Sequence, residues 1–416
     1  MGRWPVYDEE QIEDVVSILR SGEVNAWTGP HVRNFEAAYE RFLGVKHAVA
    51  LANGTVALDL ALFALGLASG DEVIVTPVAL DLALFALGLA SGDEVIVTPR
   101  SFIASASTVP MAGGVAIFAD VDPDSQNITA ESIRAKLTPK TRGVIVVHLA
   151  GWPCDMPAIM ALAREKGLWV IEDCAQAHGA EIDGRPVGSF GDIAAFSFCQ
   201  DKIITTGGEG GLVAMNDEEL WKKAWSRKDH GKSYDAVYNR EHPPGFRWLH
   251  ESIGTNWRMT SIQAVMGSRQ LQRLAEWRSI RAHNAAILAR AAEEIEALRT
   301  PLPPRGTQHA WYRFYTFLRP ERLRPDWTRD RIIAEMNGAG VACFSGSCSE
   351  IYLEKAFTDA GMAPPQRLPN ARELGETSLA FLVDPAHDTA AMEKAAHVLR
   401  EVLARASIAM PSRKRG

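Results

Sequence analysis

The sequence predicts an α/β protein built on a large, mostly parallel sheet. Three segments carry this prediction: an apolar run at 143–148, a helical pattern at 156–166 and a second apolar run at 168–172. Strands that alternate with helices of this length are typical of parallel βαβ units. The chain has 416 residues, which is long enough for two domains with buried cores. We therefore expect a large sheet domain and a second, smaller domain.

The pattern toward the C-terminus predicts the smaller domain. Residues 260–299 are largely helical in pattern, and the helix ends before Pro301. A domain boundary inside this helix gives a large domain over 1–265, a small C-terminal α+β domain over 266–410 and a basic tail at 411–416. Within the small domain we predict strands at 312–318, 342–344 and 378–383 and helices at 329–336 and 389–406.

The composition argues against several classes of protein. The chain has 44 Lys and Arg against 51 Asp and Glu, a net charge of −7, so it lacks a broad basic field for nucleic acid. Its first residues, MGRWP, do not begin a signal peptide, and no apolar run is long enough to span a membrane. We expect a cytoplasmic protein. The five cysteines are odd in number and lack close paired spacing, so we expect neither disulfides nor a metal site.

The segment most informative about chemistry is 196–211, FSFCQDKIITTGGEGG. A predicted strand at 193–198 carries Ser197, Lys202 follows, and a glycine-rich turn leads to another strand at 211–215. A lysine amine attacks carbonyl groups when burial or a neighbouring cation lowers its pKa, and pyridoxal phosphate is such a carbonyl compound. The alternative is a plain tight turn beside a solvated lysine.

A second segment, 168–180, favours the cofactor interpretation. Its sequence, LWVIEDCAQAHGA, is an apolar strand that ends near Asp173 and continues to Gln176 and His178. Ligands of open α/β sheets bind beyond the carboxyl ends of the strands. Pyridoxal phosphate needs an acid opposite its pyridine nitrogen, and an ionised Asp173 would keep that nitrogen protonated so that the cofactor acts as an electron sink.

These two segments resemble the sugar aminotransferases named for DegT and StrS, within the fold-type I pyridoxal phosphate enzymes, and among them the perosamine synthases. The resemblance covers nearly the whole chain and includes GEVNAWTGP at 22–30, NGT at 53–55 and ELGETSL at 373–379. Several motifs in order are far more specific than one alone. The resemblance implies the fold-type I architecture, pyridoxal 5′-phosphate as the cofactor and an aminotransferase activity.

The resemblance also implies a role for each residue of the cofactor site. Lys202 would bind the cofactor covalently and then shuttle the proton between substrate and cofactor. Asp173 would pair with the pyridine nitrogen, Gln176 would meet the ring hydroxyl and Ser197 would hydrogen-bond the phosphate. Backbone N–H groups at a helix N-terminus, where anions are favoured, would complete the phosphate site. These groups belong to Gly54, Thr55 and, as a further candidate, Val56.

Two more residues are assigned by the resemblance. Asn256 matches the residue that reaches the phosphate of the neighbouring subunit, which implies at least a homodimer. Phe102 falls where the family places an aromatic ring against the cofactor, and the alternative is a buried core phenylalanine. His178 is either a substrate contact or the end of a turn, whereas His148 is expected to be structural.

The implied reaction has a ping-pong course. Glutamate donates its amino group and leaves as 2-oxoglutarate, and the keto carbon of a nucleotide-linked deoxysugar accepts it, for surface polysaccharide or other glycan precursors. Dehydratases of the family have a histidine in place of Lys202, so this lysine argues against a dehydratase. Two alternatives are a transaminase of a cyclitol or free ketosugar, and a non-catalytic relative that binds cofactor or nucleotide sugar.

Two segments bear on these alternatives. Asp384 stands where we expect relatives to have a histidine, and this departure makes the non-catalytic alternative conceivable. The segment 226–250 mixes basic and aromatic residues and is a candidate clamp for the diphosphate of a sugar nucleotide. Its alternative is an ordinary solvated loop.

The chain also departs from the family pattern by a tandem duplication. The sequence VALDLALFALGLASGDEVIVTP occurs at 56–77 and again at 78–99 without a difference. Each copy predicts a helix, a turn and a buried strand, and the family pattern has room for one copy. We expect the first helix and the second strand, 94–98, to take the family positions. Roughly residues 71–92 would then be extruded, which exposes apolar residues and is an aggregation hazard.

Overall fold

The computed structural model describes residues 4–52, 92–111 and 113–408. Gly54, Thr55, the first copy of the repeated unit with its predicted helix, and the tail at 411–416 lie outside these residues. The predictions made for them therefore stay predictions.

The described residues form a seven-stranded sheet in which six strands run in one direction. Only the strand Gly211–Met215 is antiparallel to its neighbours, Ile193–Ser197 and His47–Leu51. In spatial order the strands are β3 (Val115–Phe118), β2 (Glu94–Val97), β4 (Thr141–Val147), β5 (Trp169–Asp173), β8 (Ile193–Ser197), β9 (Gly211–Met215) and β1 (His47–Leu51). The central strands are apolar and buried on both faces, as expected when helices cover a parallel sheet. The prediction of a large, mostly parallel sheet is confirmed.

The helices of the described residues begin and end near the signals in the sequence. Helix α5 begins after Asp155, whose carboxylate accepts from the N–H of Ala158, and ends at Gly167, which has a positive φ. The helices are α1 (Glu9–Ser21), α2 (His31–Leu43), α3 (Ala104–Met111), α4 (Ala130–Arg134), α5 (Met156–Lys166), α6 (Glu218–Lys228), α7 (Tyr234–Tyr238), α8 (Ser261–Glu293), α9 (Arg329–Gly338), α10 (Lys355–Asp359), α11 (Pro369–Thr377) and α12 (Thr389–Ala406).

The long helix α8 begins with a reciprocal cap. Thr260 accepts from the N–H of Gln263, and the Gln263 side chain accepts from the N–H of Thr260. The helix packs against α1 and α2 in its first half and against α12 in its second half. The predicted boundary after residue 265 lies inside this helix and stays a prediction.

A second, antiparallel sheet follows α8. Its strands, in spatial order, are β10 (Leu298–Arg299), β12 (Phe314–Leu318), β14 (Ser378–Phe381) and β13 (Cys343–Phe344). Its apolar face packs with α8, α9 and α12 in a core that includes Leu288, Ile332, Phe381 and Leu399. A small third sheet contains β11 (Thr307–Gln308), β6 (Glu181–Ile182) and β7 (Arg185–Pro186). The strands and helices predicted beyond residue 300 are present, with ends that differ by a few residues.

The strand of the second repeated copy lies in the large sheet. Residues Glu94–Val97 form β2, which pairs in parallel with β3 on one side and β4 on the other. Val95, Ile96 and Val97 are fully buried there. The strand predicted at 94–98 is thus present in the sheet. The chain then continues through Ser101 and Phe102 to α3, and these connections bound the site described below.

Among the described residues, no helix is long and apolar enough to cross a bilayer.

Candidate active site

The site lies at the carboxyl edge of the parallel strands. Asp173 ends β5 and Ser197 ends β8, and the connection after β2 brings Ser101 and Phe102 to the same edge. Strands β5 and β8 are parallel neighbours, so their carboxyl ends must lie side by side. The sheet therefore brings together residues that are far apart in the sequence.

Asp173 is buried and held at both carboxylate oxygens. Its Oδ1 accepts from the N–H of Ala175 at 3.1 Å, and its Oδ2 accepts from the Ser105 hydroxyl at 2.8 Å. Burial raises the pKa of Asp173, while these two hydrogen bonds and the charge of Lys202 oppose the rise. A protonated pyridine nitrogen beside the carboxylate would favour its ionised form further.

Behind Asp173, Glu172 and His148 form a buried pair. The Glu172 carboxylate accepts from the N–H groups of Gly188, Phe190 and Gly191, and His148 Nε2 lies 3.1 Å from Glu172 Oε2. Burial raises the pKa of Glu172, but the hydrogen bonds, above all from His148, lower it more. His148 Nδ1 accepts from the N–H of Cys154.

These contacts decide what His148 and Glu172 can do. Ligand atoms of His148, Glu172 and Cys174 lie within 4.8 Å of one another, the kind of cluster that can hold a metal. Both nitrogens of His148 and both oxygens of Glu172 are already used by protein groups, so the cluster is a structural support of the strand end. This agrees with the structural role expected for His148.

Lys202 is held by charge instead of by short hydrogen bonds. Its Nζ lies 3.4 Å from the Asp201 carboxylate and 5.2 Å from the centre of the Tyr312 ring, and 16% of its side chain is exposed. The Tyr312 hydroxyl donates to Asp201. Burial lowers the pKa of Lys202, but Tyr312 and Asp201 raise it more, so the net shift is upward. The burial argument predicts the opposite direction, because it omits Tyr312, which folding brings beside the amine, and the adjacent Asp201.

A cavity of about 670 Å³ opens above Lys202. Gln176, Phe102, Tyr312, Arg313 and Tyr315 also line it. The Tyr315 hydroxyl accepts from the N–H of Ser347, and Arg313 stacks 4.2 Å from the centre of the Tyr312 ring. The cavity thus combines an amine, an amide, a guanidinium, two carboxylates and four aromatic rings, a mixture that suits a charged aromatic cofactor and a polar substrate.

Of the predicted residues Gln176, Ser197 and His178, Gln176 lines this cavity and the other two do not. Gln176 Oε1 accepts from the N–H of Ala150 at 2.7 Å, which turns its amide into the cavity wall. Ser197 Oγ accepts from the N–H of Cys199 at 3.3 Å. His178 is fully buried: Nε2 donates to the Ser197 carbonyl, and Nδ1 accepts from the Tyr39 hydroxyl. Burial lowers the pKa of His178 to about 4, so it is a neutral structural residue.

Phe102 and Asn256 are both on the surface of this chain. Phe102 is 66% exposed and faces the cavity, which excludes the alternative of a core phenylalanine. Asn256 is exposed, pairs in an antiparallel bridge with Asp229 and does not line the cavity of its own chain. Its predicted contact with a neighbouring subunit stays a prediction.

Asp384 is part of a turn. Its Oδ1 accepts from the N–H of Ala386 and lies 3.1 Å from His387 Nδ1, and its carbonyl accepts from the N–H of His387. It does not line the cavity that contains Lys202. The departure at this position therefore leaves the described cavity intact and gives no support to the non-catalytic alternative.

The candidate clamp at 226–250 keeps several cations in internal ion pairs. These pairs are Lys228 with Glu36, Lys232 with Asp229, and Arg240 with Glu251. Its outermost groups are the rings of Phe246 and Trp248, which are 77% and 80% exposed and contact each other edge to face. The segment thus offers aromatic surface as well as charge.

Sequence reasoning missed Tyr312, Arg313 and Ser105 as site residues. Tyr312 and Arg313 precede β12 in the small sheet, far along the chain from Lys202. Ser105 is an ordinary serine in the first turn of α3. Ser105 becomes part of the site only because folding places the buried Asp173 carboxylate next to it, so no local motif could have identified it.

The described residues fit pyridoxal phosphate. An amine lines a cavity of suitable size, and a buried carboxylate with two fixed donors stands at the neighbouring strand end. The seven-stranded, mostly parallel sheet with smaller sheets beside it is the fold of the fold-type I aminotransferases.

Residues 5–79 and 76–402 match the DegT/DnrJ/EryC1/StrS aminotransferase family. The chain belongs to this family, whose members are pyridoxal phosphate-dependent aminotransferases. The two matched segments meet at the junction of the repeated copies, residues 77 and 78.

Three relatives show how far the likeness extends. The chain is 37% identical to the GDP-perosamine synthase of Caulobacter vibrioides over 317 residues, 75% of each chain. It is 33% identical to the UDP-N-acetyl-3-dehydro-alpha-D-glucosamine 3-aminotransferase of Acidithiobacillus ferrooxidans, over 90% of this chain and 89% of the relative. An aminotransferase structure from Psychrobacter cryohalolentis has a TM-score of 0.90 and 49% identity, covering 97% of this chain and 98% of the other.

Proposed function

We propose that this aminotransferase moves an amino group from glutamate to the keto carbon of a nucleotide-linked deoxysugar, in the formation of surface polysaccharide or other glycan precursors. The observation that carries the proposal is the cavity above Lys202, which combines charged and aromatic groups. It is supported by relatives named for GDP-linked and UDP-linked sugars.

We assign the cofactor contacts as follows. Asp173 would pair with the pyridine nitrogen, Gln176 would donate from its amide to the ring hydroxyl, and Phe102 would cover the ring. Ser197, Gly54 and Thr55 hold the phosphate, together with Asn256 from the second subunit of a homodimer. When bound, pyridoxal phosphate supplies an electron sink that stabilises negative charge at the carbon bearing the nitrogen.

The proton moves at Lys202 Nζ. The amine lines the cavity and, unlike the guanidinium of Arg313, can lose its proton, so it would be suited to take a proton from the substrate and return it. Asp201 and Tyr312 stabilise the charged amine in the intervals when it carries the extra proton. In the second half of the reaction the amine would act in the opposite sense and deliver a proton to the carbon that accepts the amino group.

Arg313 is suited to the carboxylate of the amino donor. It lines the cavity, donates to the Tyr312 carbonyl and forms no ion pair with any residue that the structure describes. A guanidinium binds a carboxylate through two parallel hydrogen bonds. This supports a donor with a free carboxylate, as in glutamate.

The acceptor side is supported by the exposed rings of Phe246 and Trp248. Nucleobases stack on exposed aromatic side chains, and this pair belongs to the segment that we proposed as a diphosphate clamp. In a homodimer such a loop could serve the neighbouring cavity, as proposed for Asn256.

The test is a coupled assay with glutamate and a panel of nucleotide-linked ketosugars, free ketosugars and keto-cyclitols. We expect release of 2-oxoglutarate and an aminated nucleotide sugar, identified by mass spectrometry. Amination of only the free ketones would replace the proposed acceptor. Tight nucleotide-sugar binding without any turnover by the holoenzyme would instead indicate a binding protein. Trp248→Ala should raise KM for the nucleotide sugar and leave KM for glutamate unchanged, with the nearby exposed Ile253→Ala as a matched control.

A further inference from the structure

Two buried serines form a hydrogen-bonded chain that ends on Asp173. Ser101 Oγ lies 2.9 Å from Ser105 Oγ, and Ser105 Oγ lies 2.8 Å from Asp173 Oδ2. All three residues are at most 3% exposed. Ser101 also lines the cavity that contains Lys202, so the chain runs from the cavity wall to the carboxylate.

The direction of the hydrogen bonds follows from the number of protons. A serine hydroxyl has a single proton to donate, and an ionised carboxylate can only accept. Ser105 therefore donates to Asp173, and Ser101 donates to Ser105. Backbone hydrogen bonds hold both serines in position. The N–H of Ser101 donates to the Cys348 carbonyl, and the N–H of Ser105 donates to the Phe102 carbonyl.

This chain has two effects on the carboxylate. A hydroxyl that donates to a charged oxygen stabilises the ionised form, and a donor already polarised by a second hydroxyl does so more strongly. Donors from two directions, Ala175 and Ser105, also fix the plane of the carboxylate. The charges of Lys202 and His148 lower the pKa of Asp173, and the buried thiols of Cys154 and Cys174 are the other titratable groups that interact with it.

We propose that Ser105, supported by Ser101, is a positioning residue that keeps the Asp173 carboxylate ionised and oriented toward the cofactor's ring nitrogen. The proposal rests on the role that we propose for Asp173. It places part of the cofactor site on the connection after β2, immediately beyond the second repeated copy.

The experiment measures cofactor affinity and its pH dependence. The cofactor is removed from the holoenzyme, and the apo-protein is titrated with pyridoxal phosphate by visible absorbance between pH 6 and 9. Ser105→Ala should weaken the affinity by about tenfold, the size expected for a hydrogen bond to a charged group. The pH below which affinity falls should lie higher than in the wild type, because the carboxylate is protonated more easily.

Three further variants make the result specific. Ser105→Thr keeps the hydroxyl and should restore both the affinity and the pH profile. Ser101→Ala leaves Asp173 its direct donor and should weaken the affinity by about threefold. Ser107 lies on the same helix and makes no hydrogen bond to Asp173 among the described residues, so Ser107→Ala should behave as the wild type.

Two outcomes would overturn the proposal. One is unchanged affinity and pH profile in Ser105→Ala; the other is a folded Ser105→Thr that binds as weakly as Ser105→Ala. If Ser105→Ala fails to fold, the test passes to Ser101→Ala, and an unchanged pH profile of cofactor binding in that variant also overturns the proposal. Asp173→Asn is measured in parallel. If this variant binds the cofactor as the wild type does, the role proposed for Asp173 is wrong. If Asp173→Asn binds weakly while Ser105→Ala binds normally, only the role of the two serines is rejected.

Discussion

The two neighbouring strand ends of the site hold their functional groups in different ways. At the end of β5, Asp173 is 3% exposed and hydrogen-bonded at both oxygens, and Glu172 behind it accepts four hydrogen bonds. Beyond β8, Lys202 extends from a connection, and among the described residues its amine is held by a carboxylate at 3.4 Å and the Tyr312 ring alone. The carboxylate is fixed in advance, while the amine retains freedom to move.

This difference matches the work that each group would do. An ion pair with the cofactor ring persists through the reaction and benefits from a rigid, desolvated partner. A group that must exchange a covalent bond and then carry a proton needs to change position and charge. The following predictions test whether the carboxylates at the end of β5 are rigidly held and whether the Lys202 amine beyond β8 is free to move.

The largest effect is expected for Lys202→Ala. Loss of the amine should abolish the visible absorption of the bound cofactor and lower turnover by about 10³-fold or more. Borohydride reduction of the wild-type holoenzyme followed by peptide mapping should find the cofactor on Lys202. As a control, Lys232→Ala removes a lysine of the outer loop and should keep the absorption band. A label on another lysine would remove Lys202 from the mechanism.

The next effect tests rigidity at the β5 end. In the wild type, backbone N–H groups donate to both oxygens of the Glu172 carboxylate. Glu172→Gln places an amide NH₂ group, itself a donor, against some of them. The free energy of unfolding, measured by urea denaturation, should therefore fall by about 3 kcal/mol. Glu165→Gln, at an exposed ion pair on α5, should leave the free energy of unfolding nearly unchanged, because solvent screens that pair.

The pH dependence of that stability has a definite sign. The pKa of Glu172 is lowered in the folded protein, so its contribution is present at neutral pH and is lost as the pH falls below about 4.5. The stability difference between wild type and Glu172→Gln should therefore shrink on acidification. A difference that stays constant with pH would mean that the charge of Glu172 does not contribute.

A smaller effect should appear at the Lys202 end. Asp201 raises the pKa of Lys202, so Asp201→Asn should lower that pKa and let the apo-protein capture pyridoxal phosphate at a lower pH than the wild type does. Stopped-flow absorbance across the pH range would show several-fold faster capture near pH 7. Glu209→Gln, a nearby exposed acid that is not among the causes of the Lys202 shift, serves as the control. An unshifted profile would show that Asp201 does not hold the amine.

The smallest effect is expected for deletion of residues 78–99. The remaining copy supplies the same residues before Arg100, so the connection that carries Ser101, Phe102 and Ser105 keeps its sequence. We expect turnover per bound cofactor to stay the same and the yield of non-aggregated protein, measured by size-exclusion chromatography, to rise. A large loss of turnover would show that both copies are needed.

Much of the large sheet could be predicted from the sequence because its strands are short apolar runs with clear ends. Strands β5, β8 and β9 and helices α5 and α12 begin and end within a residue of the prediction. Asp173, Gln176 and Lys202 could be named because each lies at or just beyond the end of a predicted strand, and Phe102 could be named from the family resemblance. Folding brings Gln176, Phe102 and Lys202 to the cavity, with Asp173 behind it. Tyr312, Arg313 and Ser105 could not be named, since their neighbours come from distant parts of the chain.

By itself, the sequence determined the order of strands and helices, the residues at the strand ends, the family and the tandem repeat, because these depend on local patterns of apolar and polar residues. Only the tertiary structure decided that Asp173 receives a hydroxyl from α3, that His178 is a neutral structural residue and that the pKa of Lys202 rises. These properties depend on burial and on charges a few ångströms away, and such distances are set by the packing of segments that the sequence keeps far apart.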